Sequence, residues 1–284
     1  MVDYAFTFNG YTLGGAGAAV QVLQSVGLED TPPIRVVNEA RGFADGTFYG
    51  RDLLSGRTVT IDYLVQSNPN QTFRQIMEAF KVAMTPQGGG STAAGVLTFT
   101  LPGIASRRVF CRLRRRSLPV DVDYSYNFGK GSLEFYSADP RIYDEVASSL
   151  SIGLSGAQGG LTFPLSFNTT FGTVAAPNTQ VATNAGTYNT KPLITITGPV
   201  DTPIIQNVTQ GSSLKVNVVL AATDVLTLDT DTRAVVLNGT ASRRSSLSTD
   251  SVWWDLSPGA NTLIFSAAAA TTATASLSWR NAYL

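Results

Sequence analysis

The 284-residue chain contains no histidine, and this absence excludes several common designs of enzyme site. Histidine is the most frequent general base and a frequent ligand of transition metals. Without it, the Ser-His and Cys-His pairs of nucleophilic catalysis cannot form. We therefore expect a protein that is not an enzyme, with no catalytic residues, no cofactor and no metal.

Cysteine and long apolar runs are scarce as well. Cys111 is the single cysteine and sits in a strand-like run, so no intramolecular disulfide can form and a small buried residue is favoured over a reactive thiol. Residues 1–6 lack the basic segment and apolar stretch of a secretory signal. No apolar run approaches the roughly 20 residues that a membrane-spanning helix needs. The longest, 265–275, is rich in alanine and threonine and favours a strand. We expect synthesis in a cytoplasm, without secretion or membrane insertion.

An excess of charge of one sign is also missing. Lysine plus arginine and aspartate plus glutamate each number 20; residues 1–143 hold 14 basic and 12 acidic residues, and residues 144–284 hold 6 and 8. Neither part carries the basic field that non-specific nucleic-acid binding requires. A near-neutral chain with 43% hydrophobic residues instead favours a subunit that buries surface in an assembly.

What the sequence does contain, in its first 143 residues, is mostly the pattern of β-strands. Apolar and polar residues alternate there, as expected for strands with one buried face. The predicted strands are 4–8, 11–13, 19–26, 34–37, 57–65, 95–101, 107–116 and 124–136. One stretch has helical spacing instead and predicts a helix over about 69–84, with Asn68 as its cap and Pro69 at its first position. The glycine-rich segment 88–91 lacks the lysine and the following helix of a phosphate-binding loop.

The strand predicted at 107–116 is the most charged segment. Strict alternation turns four arginines away from the core: Arg108, Arg112, Arg114 and Arg116. This face could be solvated and partly neutralised by Asp121 and Asp123, or it could form a subunit interface or line a passage for nucleic acid. Nucleic-acid readers usually interleave aromatic residues with the basic ones for stacking, and only Phe110 is available here. We therefore favour an inter-subunit or channel-lining surface without specific nucleic-acid recognition.

A change of composition at Asp139, Pro140 and Tyr143 marks a domain boundary. Proline cannot donate to a strand ladder, so the strand ends there, and charged residues become fewer after Tyr143. We predict a β-domain with one helix at 1–143, a linker with the first strands of a second domain at 144–190, and a C-terminal β-sandwich at 191–284. Strands are expected at 161–167 and 174–182. From residue 191 strands recur about every ten residues between turn signals, which is typical of a β-sandwich. They are predicted at 192–197, 204–206, 213–220, 225–229, 234–238, 252–256, 262–267 and 273–279.

Two groups of carboxylates are candidate sites. Asp224, Asp229 and Asp231 are clustered in sequence but lack the central glycine and closing glutamate of a helix–loop–helix calcium loop, so roles in turns are favoured. Asp121 and Asp123 alternate onto one strand face and could act as an acid–base pair, but pairing with the nearby arginines explains them more simply.

Three tryptophans could contact carbohydrate through their flat rings: Trp253, Trp254 and Trp279, with Tyr283 beside them in sequence. Adjacent residues of a strand project to opposite faces, so at most one of Trp253 and Trp254 belongs to the core. The other is then exposed or lies at an interface.

Several different short motifs follow one another along nearly the whole chain. They are Phe8-Asn9-Gly10, Asp45-Gly46 before Arg57-Thr58-Val59-Thr60, Ala138-Asp139-Pro140-Arg141-Ile142-Tyr143, the segments 191–200 and 203–207, and the segments 226–230, 235–239 and 254–263. Each motif alone is turn chemistry. The ordered set resembles the distal tail proteins of long, non-contractile-tailed bacteriophages.

This resemblance implies a structural subunit of the virion's tail tip. Its N-terminal domain, a β-barrel or sandwich with one helix, would form a hexameric ring around the DNA channel and connect the tail tube to the baseplate or tail hub. Its C-terminal domain would be a galectin-like or carbohydrate-module-like sandwich that projects outward. The implied partners are further copies of the chain, the tail tube protein, the tail hub or tail-associated protein and the tape-measure protein. The alternative function is an adhesion module that binds host cell-wall carbohydrate through its tryptophans.

Overall fold

The computed structural model describes residues 4–86, 93–154, 178–268 and 272–284. The chain divides into two compact units, Met1–Glu145 with Tyr283–Leu284 and Val146–Ala282. Strands dominate both units, so the predicted mostly-β fold is confirmed. The strand predicted at 161–167 and the glycine-rich segment 88–91 lie outside the described residues, as does part of the segment 174–182.

The strands of the first unit form one large sheet and two small ones. Their bounds are β1 (Ala5–Phe8), β2 (Tyr11–Gly14), β3 (Val20–Val26), β4 (Ile34–Arg35), β5 (Glu39–Ala40), β6 (Thr47–Phe48), β7 (Leu53–Leu54), β8 (Arg57–Gln66), β9 (Gly95–Thr100), β10 (Arg107–Ser117), β11 (Phe128–Ser137) and β12 (Ile142–Asp144). The large sheet is antiparallel with the order β2-β1-β9-β10-β11-β8-β3, and β12 pairs with β10. No ladder joins the two end strands β2 and β3 among the described residues, so the sheet does not close into a barrel there.

The core of the first unit lies between this sheet and helix α1 (Phe73–Ala83). Alternate residues of the strands are buried, as in β8, where Val59, Ile61, Tyr63 and Val65 are fully buried. The helix contributes Phe80, whose ring centroid lies 4.7 Å from that of Tyr63. The helical spacing in the sequence therefore marks a helix whose apolar side covers the sheet.

Helix α1 begins four residues later than predicted. Thr72, not Asn68, is the N-cap: its hydroxyl accepts from the Gln75 backbone N–H, and the Gln75 side chain accepts from the Thr72 backbone N–H at 2.9 Å. This reciprocal pair is a capping box. Asn68 instead forms a tight turn in which its side chain accepts from the Gln71 backbone N–H at 2.7 Å.

The segment predicted as the start of the last strand of this domain is helical instead. A second helix, α2 (Val122–Ser125), occupies it, and β11 begins only at Phe128. Asp121 caps α2 by accepting from the Tyr124 backbone N–H at 3.2 Å. Asp121, a candidate for an acid–base pair in the sequence, is therefore the N-cap of a short helix.

The second unit is a β-sandwich, as predicted. Its strands are β13 (Ser148–Gly153), β14 (Thr179–Asn184), β15 (Leu193–Thr197), β16 (Val200–Asp201), β17 (Ile204–Asn207), β18 (Ser212–Lys215), β19 (Val219–Leu220), β20 (Val225–Asp229), β21 (Ala234–Leu237), β22 (Ala241–Ser242), β23 (Gly259–Ser266) and β24 (Thr274–Trp279); β25 (Ala282–Tyr283) ends the chain. One sheet has the order β13-β24-β15-β20-β21-β22, the other β14-β23-β17-β18, and β16 pairs with β19. Buried residues of both sheets, such as Ile196 and Phe265, form one hydrophobic cluster.

Two predicted strands of the sandwich differ from the structure. The segment 213–220 is split into β18 and β19. Between these two strands the Asn217 N–H bonds to the Ser246 carbonyl, which belongs to neither strand. The segment 252–256 is not a strand, since Leu256 makes only an isolated bridge with Thr190. A single turn of 3₁₀-helix spans Arg244–Ser246. Neither α1 nor α2, the α-helices of the described ranges, has the length and hydrophobicity needed to cross a membrane.

Candidate functional site

An extended arm, residues 27–56, links β3 to β8 and is the most exposed part of the first unit. Strand β4 pairs with β7 and β5 pairs with β6, and the Arg41 N–H bonds to the Gly46 carbonyl across the turn, so the arm is an antiparallel ribbon. Residues 33–52 are all exposed. Large apolar side chains are among them: Ile34, Val36, Val37, Phe43, Phe48 and Tyr49. The arm therefore presents apolar surface that the unit's own core does not use.

The base of the arm is fixed by a buried arginine. Arg57 is only 1% exposed, and its Nη1 donates to the carbonyl oxygens of Gly27, Leu28 and Asp30 at 2.6, 2.8 and 2.8 Å. Burial lowers the pKa of the Arg57 guanidinium, while the Asp30 and Glu29 carboxylates oppose that shift. The three carbonyls thus converge on one nitrogen of the guanidinium, while Nε bonds elsewhere and Nη2 has no partner among the described residues. The start of the arm is thus held in one conformation.

Arg57 also connects the arm to the predicted boundary motif. Its Nε donates to the Pro140 carbonyl at 3.1 Å. Beside it the Asp139 carboxylate accepts from the Tyr143 hydroxyl at 2.5 Å and from the Arg141 backbone N–H at 3.1 Å. Burial and then the Asp139 charge raise the pKa of the Tyr143 hydroxyl far above its ordinary value. Asp139, Pro140 and Tyr143 therefore form a polar corner between β11 and β12.

A β-bulge at Arg114 changes which arginines of β10 share a face. Beyond the bulge Arg115 pairs with Glu134, and Arg116 pairs with Leu133, a core residue. Directly paired residues project from the same side of a sheet. Arg115 therefore lies on the outer face and Arg116 on the core side, so the prediction that Arg116 shares one face with the other three arginines is wrong.

Arg116 has a structural role at the end of helix α1. Its Nη1 donates to the carbonyl oxygens of Lys81 and Met84, both at 2.9 Å. These are among the last carbonyls of the helix, which have no partner within it. A cation at this end also complements the helix dipole.

The remaining arginines give the outer face of β10 a mixed cationic and aromatic character. The Arg114 guanidinium lies 3.9 Å from the ring centroid of Tyr136, and Arg112 Nε donates to the Ala93 carbonyl at 3.2 Å. Arg112, Arg114 and Arg115 are exposed, whereas Arg108 is half-buried. Exposed Phe110 packs edge-on against Tyr143. Arginine and aromatic side chains are enriched in protein–protein interfaces.

The expected neutralisation of this face by Asp121 and Asp123 is not seen. Across the described ranges, neither carboxylate forms an ion pair with an arginine. Asp121 caps α2 instead, and Asp123 lies in the first turn of that helix. Asp121 and Asp123 therefore do not neutralise the arginines of the outer face, which remain open to solvent or to another molecule.

In the second unit, two of the three tryptophans belong to the core. Trp254 is 2% exposed and Trp279 is 6% exposed, and Trp279 Nε1 donates to the Thr183 carbonyl at 3.2 Å. Tyr283 clusters with the first unit, where the Arg107 guanidinium lies 3.8 Å from its ring centroid. Trp253 is the partly exposed indole of the three.

A cavity of about 270 Å³ lies beside Trp253. It is lined by Asn189, Lys191, Gln210, Thr230, Arg233, Trp253, Trp254 and Asp255. No segment of the sequence marks it as a site, because its lining comes from four separate loops and strand ends. Of the lining residues, only the adjacent Trp253 and Trp254 are candidate binding residues in the sequence.

The three aspartates considered for calcium take part in turns and an ion pair. Asp229 Oδ1 accepts from the Asp231 backbone N–H at 2.8 Å, and Asp224 accepts from Asn238 Nδ2 at 2.9 Å. Asp231 pairs with Lys191 at 2.6 Å. No group of three or more metal-ligating acidic or cysteine side chains occurs in the part of the chain that the structure describes.

The C-terminal part of the sequence matches a known protein family. Residues 185–283 match the family model described as "Siphovirus-type tail component, C-terminal domain". The predicted resemblance to siphovirus distal tail proteins is thereby confirmed in the second unit. No curated protein matches the sequence significantly.

The fold is similar to that of a particular solved structure, the Dit (gp 19.1) protein of phage SPP1, described as a paradigm of the hub adsorption apparatus in phages that infect Gram-positive bacteria. The TM-score is 0.67 at 15% sequence identity, over 99% of each chain. A chain of the phage P2 baseplate in its activated conformation with Ca matches with a TM-score of 0.49 and 8% identity over 98% of each chain. The same baseplate with Sr matches with a TM-score of 0.48 and 10% identity.

Proposed function

We propose that this chain is a structural subunit of the tail tip of a long, non-contractile-tailed phage. In this role copies of the chain form a ring of six around the DNA channel and connect the tail tube to the baseplate hub. The match of residues 185–283 to a siphovirus-type tail component and the fold shared with the SPP1 Dit protein support a tail role. The subunit has no catalytic task in this proposal and needs no cofactor.

The exposed arm is the observation that carries self-assembly. Phe43 and Tyr49 are almost completely exposed, and its other large apolar side chains are about half exposed, which is costly for a monomer in water. Its base is held by Arg57, so docking of the arm requires little ordering of the chain at that end. Because the base of the arm is already fixed and its apolar residues are exposed, the arm is well suited to packing against a neighbouring subunit.

The partner that we infer for the arm is a second copy of the chain. The end strand β3 leaves one edge of its sheet unpaired in the described residues and exposes Leu23 and Val26. Exposed edges with apolar side chains favour pairing with another chain. The arm begins where β3 ends, and the arm of one copy can reach the β3 edge of the next. Such a head-to-tail contact closes into a ring when the rotation between neighbours is a full turn divided by a whole number.

The other partners follow from the position of such a ring. A connector between tube and hub touches the tail tube protein on one side and the tail hub or tail-associated protein on the other, with the tape-measure protein and DNA passing through its centre. The outer face of β10, with Arg112, Arg114 and Arg115, is proposed as an inter-subunit or channel-lining surface. The protein would be made in the host cytoplasm and would reside in the virion.

The test is the oligomeric state of the full chain at micromolar concentration, measured by analytical ultracentrifugation and electron microscopy. We expect a closed oligomer for the wild type, and monomers for Phe43→Ser combined with Tyr49→Ser. Tyr126→Ser with Val219→Ser, which changes exposed residues outside the arm, should assemble like the wild type. Unchanged thermal unfolding of the arm variant would show that the fold survives. A wild-type chain that is monomeric both in solution and in phage particles would refute the proposal.

A further inference from the structure

The cavity beside Trp253 combines an aromatic surface with fixed polar groups. Its volume of about 270 Å³ is close to the roughly 300 Å³ at which small-molecule sites begin. Trp253 packs partly against the core of the sandwich and keeps part of its indole exposed. A flat ring held in this way can stack against the C–H-rich face of a sugar without losing much conformational freedom.

One buried donor beside the cavity lacks a partner. Trp254 is 2% exposed, lines the cavity, and its indole Nε1 has no acceptor among the described residues. An indole nitrogen can only donate, so this group needs an acceptor oxygen. Leaving a buried donor unsatisfied is unfavourable, and such an exception calls for an explanation. This nitrogen is itself shielded from solvent, so it is not counted among the ligand contacts.

Several polar side chains of the cavity are held in place by contacts within the unit. Lys191 Nζ lies 2.6 Å from Asp231 Oδ1, and Gln210 Nε2 donates to the Asp255 carbonyl at 2.8 Å. The hydroxyl of buried Thr230 donates to the Pro192 carbonyl at 2.8 Å. Positioned donors and acceptors of this kind fix the orientation of a ligand.

Arg233 contributes a guanidinium to the cavity, whose lining also contains Lys191 and the acidic Asp255. The residue lies in the left-handed region with φ 55°, and its carbonyl accepts a hydrogen bond from Arg244 Nη1. Within the described ranges its guanidinium forms no ion pair, whereas Lys191 is paired. A guanidinium presents the planar set of donors that matches a carboxylate or phosphate.

We propose that this cavity binds an acidic saccharide, a sugar ring that carries a phosphate or carboxylate group. The ring stacks on Trp253, its oxygens meet Lys191 and Gln210, and the acidic group pairs with Arg233. Such units occur in charged surface polysaccharides, so the second unit would contact a cell envelope in addition to its structural role. Several copies in one particle would strengthen a weak single-site interaction.

The test uses the full chain with glucose 1-phosphate and glucuronic acid as probes, and methyl glucoside and inorganic phosphate for comparison. Ligand-observed NMR and calorimetry should show saturable binding of the acidic sugars with a Kd of about 1 mM. Methyl glucoside and inorganic phosphate should each bind at least about tenfold more weakly. The tighter of the two acidic sugars identifies the preferred acid.

Variants separate the two halves of the site. Trp253→Ala should abolish binding of both acidic sugars, and Arg233→Gln should reduce their affinity about tenfold while leaving that of methyl glucoside unchanged. Val252→Ala, an exposed neighbour that does not line the cavity, and Arg74→Gln in the first unit should bind like the wild type. Arg233 is exposed, so its variant remains informative even if Trp253→Ala unfolds.

The proposal is overturned if neither acidic sugar binds saturably, if inorganic phosphate binds as tightly as glucose 1-phosphate, or if methyl glucoside does. Equal binding by Arg233→Gln and wild type would also refute it. Sedimentation of the same variants distinguishes this inference from the proposed function. We expect Trp253→Ala and Arg233→Gln to assemble normally, so loss of sugar binding leaves the assembly proposal unaffected.

Discussion

Arg116 donates a hydrogen bond from its Nη1 to the carbonyl oxygen of Met84, the C-cap residue of helix α1, over 2.9 Å. The same nitrogen lies 2.9 Å from the Lys81 carbonyl. A strand of the sheet therefore supplies the cap that ends the helix packed on it. This contact joins two elements whose sequences are more than thirty residues apart.

Replacing Arg116 should destabilise the first unit. Arg116→Gln removes a charged donor from two helix carbonyls, and we expect the free energy of unfolding to fall by about 1–3 kcal/mol. Arg115→Gln is the matched control, because Arg115 is exposed on the opposite face, and its effect should stay within about 0.5 kcal/mol. Urea unfolding measures both. Equal effects of the two variants would show that Arg116 does not cap the helix.

Replacing Arg57 should be more damaging. Arg57→Met leaves the carbonyls of Gly27, Leu28, Asp30 and Pro140 without their donor, in surroundings that range from buried to half-buried, and we expect a loss of about 3–5 kcal/mol. Limited proteolysis should show faster cleavage within residues 27–56. Arg51→Met, on the exposed part of the arm, is the control and should leave stability unchanged. If Arg57→Met lost less than about 1 kcal/mol, the arm would not depend on this residue.

Cys111 should be unreactive in the folded protein and should make stability pH-dependent. Burial raises the pKa of its thiol from 9.0 to about 12. Because the folded pKa is the higher one, the stabilisation is complete below pH 9 and is lost as the pH rises toward 12. In that window the free energy of unfolding should fall by up to about 1.4 kcal/mol per pH unit from this group.

Tyr63 adds to the same alkaline effect, since burial raises the pKa of its hydroxyl from 10.0 to about 12. Cys111→Ala should reduce the pH dependence between pH 9 and 10, and a smaller slope should remain because burial also raises the pKa of Tyr143 and Tyr11. Native protein at pH 8 should not react with a thiol reagent, and unfolded protein should react fully. Rapid labelling of the native protein would disprove the buried thiol.

The outer face of β10 should matter for assembly and not for folding. Arg112→Glu combined with Arg114→Glu changes two exposed side chains, so the unfolding midpoint should move little. Reversal of charge should nevertheless reduce oligomer formation in sedimentation experiments. Arg74→Glu, an exposed arginine on helix α1, is the control. Normal assembly of the double variant would mean that the face is only solvated.

The local patterns of the sequence predicted most of the fold, and the failures have local causes. Helix α1 was placed too early because Asn68-Pro69 and Thr72-x-x-Gln75 are both start signals, and only the second positions Phe73 toward the core. The segment 124–127 predicts a strand because Tyr124 and Tyr126 alternate with polar residues, but the cap at Asp121 makes its start helical. Overlapping signals of equal strength are resolved by packing, which sequence patterns do not contain.

The candidate sites were harder to predict, because they depend on contacts between distant residues. Alternation in the predicted strand 57–65 places Arg57 on the same face as Val59, but the sequence does not show which carbonyls surround it, since these come from residues 27–30 and 140. The apolar residues of the arm resemble ordinary strand residues, and only the structure shows that nothing in their own unit covers them. The lining of the Trp253 cavity likewise comes from segments up to 66 positions apart, Asn189 to Asp255.

The bulge at Arg114 has a consequence for how this protein is compared with its relatives. A single additional residue reverses the parity of the strand, so that Arg116 on its far side occupies the face held by Leu113 on its near side. A relative without that residue would keep the same two faces with a strand shorter by one. An alignment of β10 with such a relative needs a one-residue gap at position 114. Without that gap, the arginine that ends helix α1 would be matched with a residue from the opposite side of the sheet.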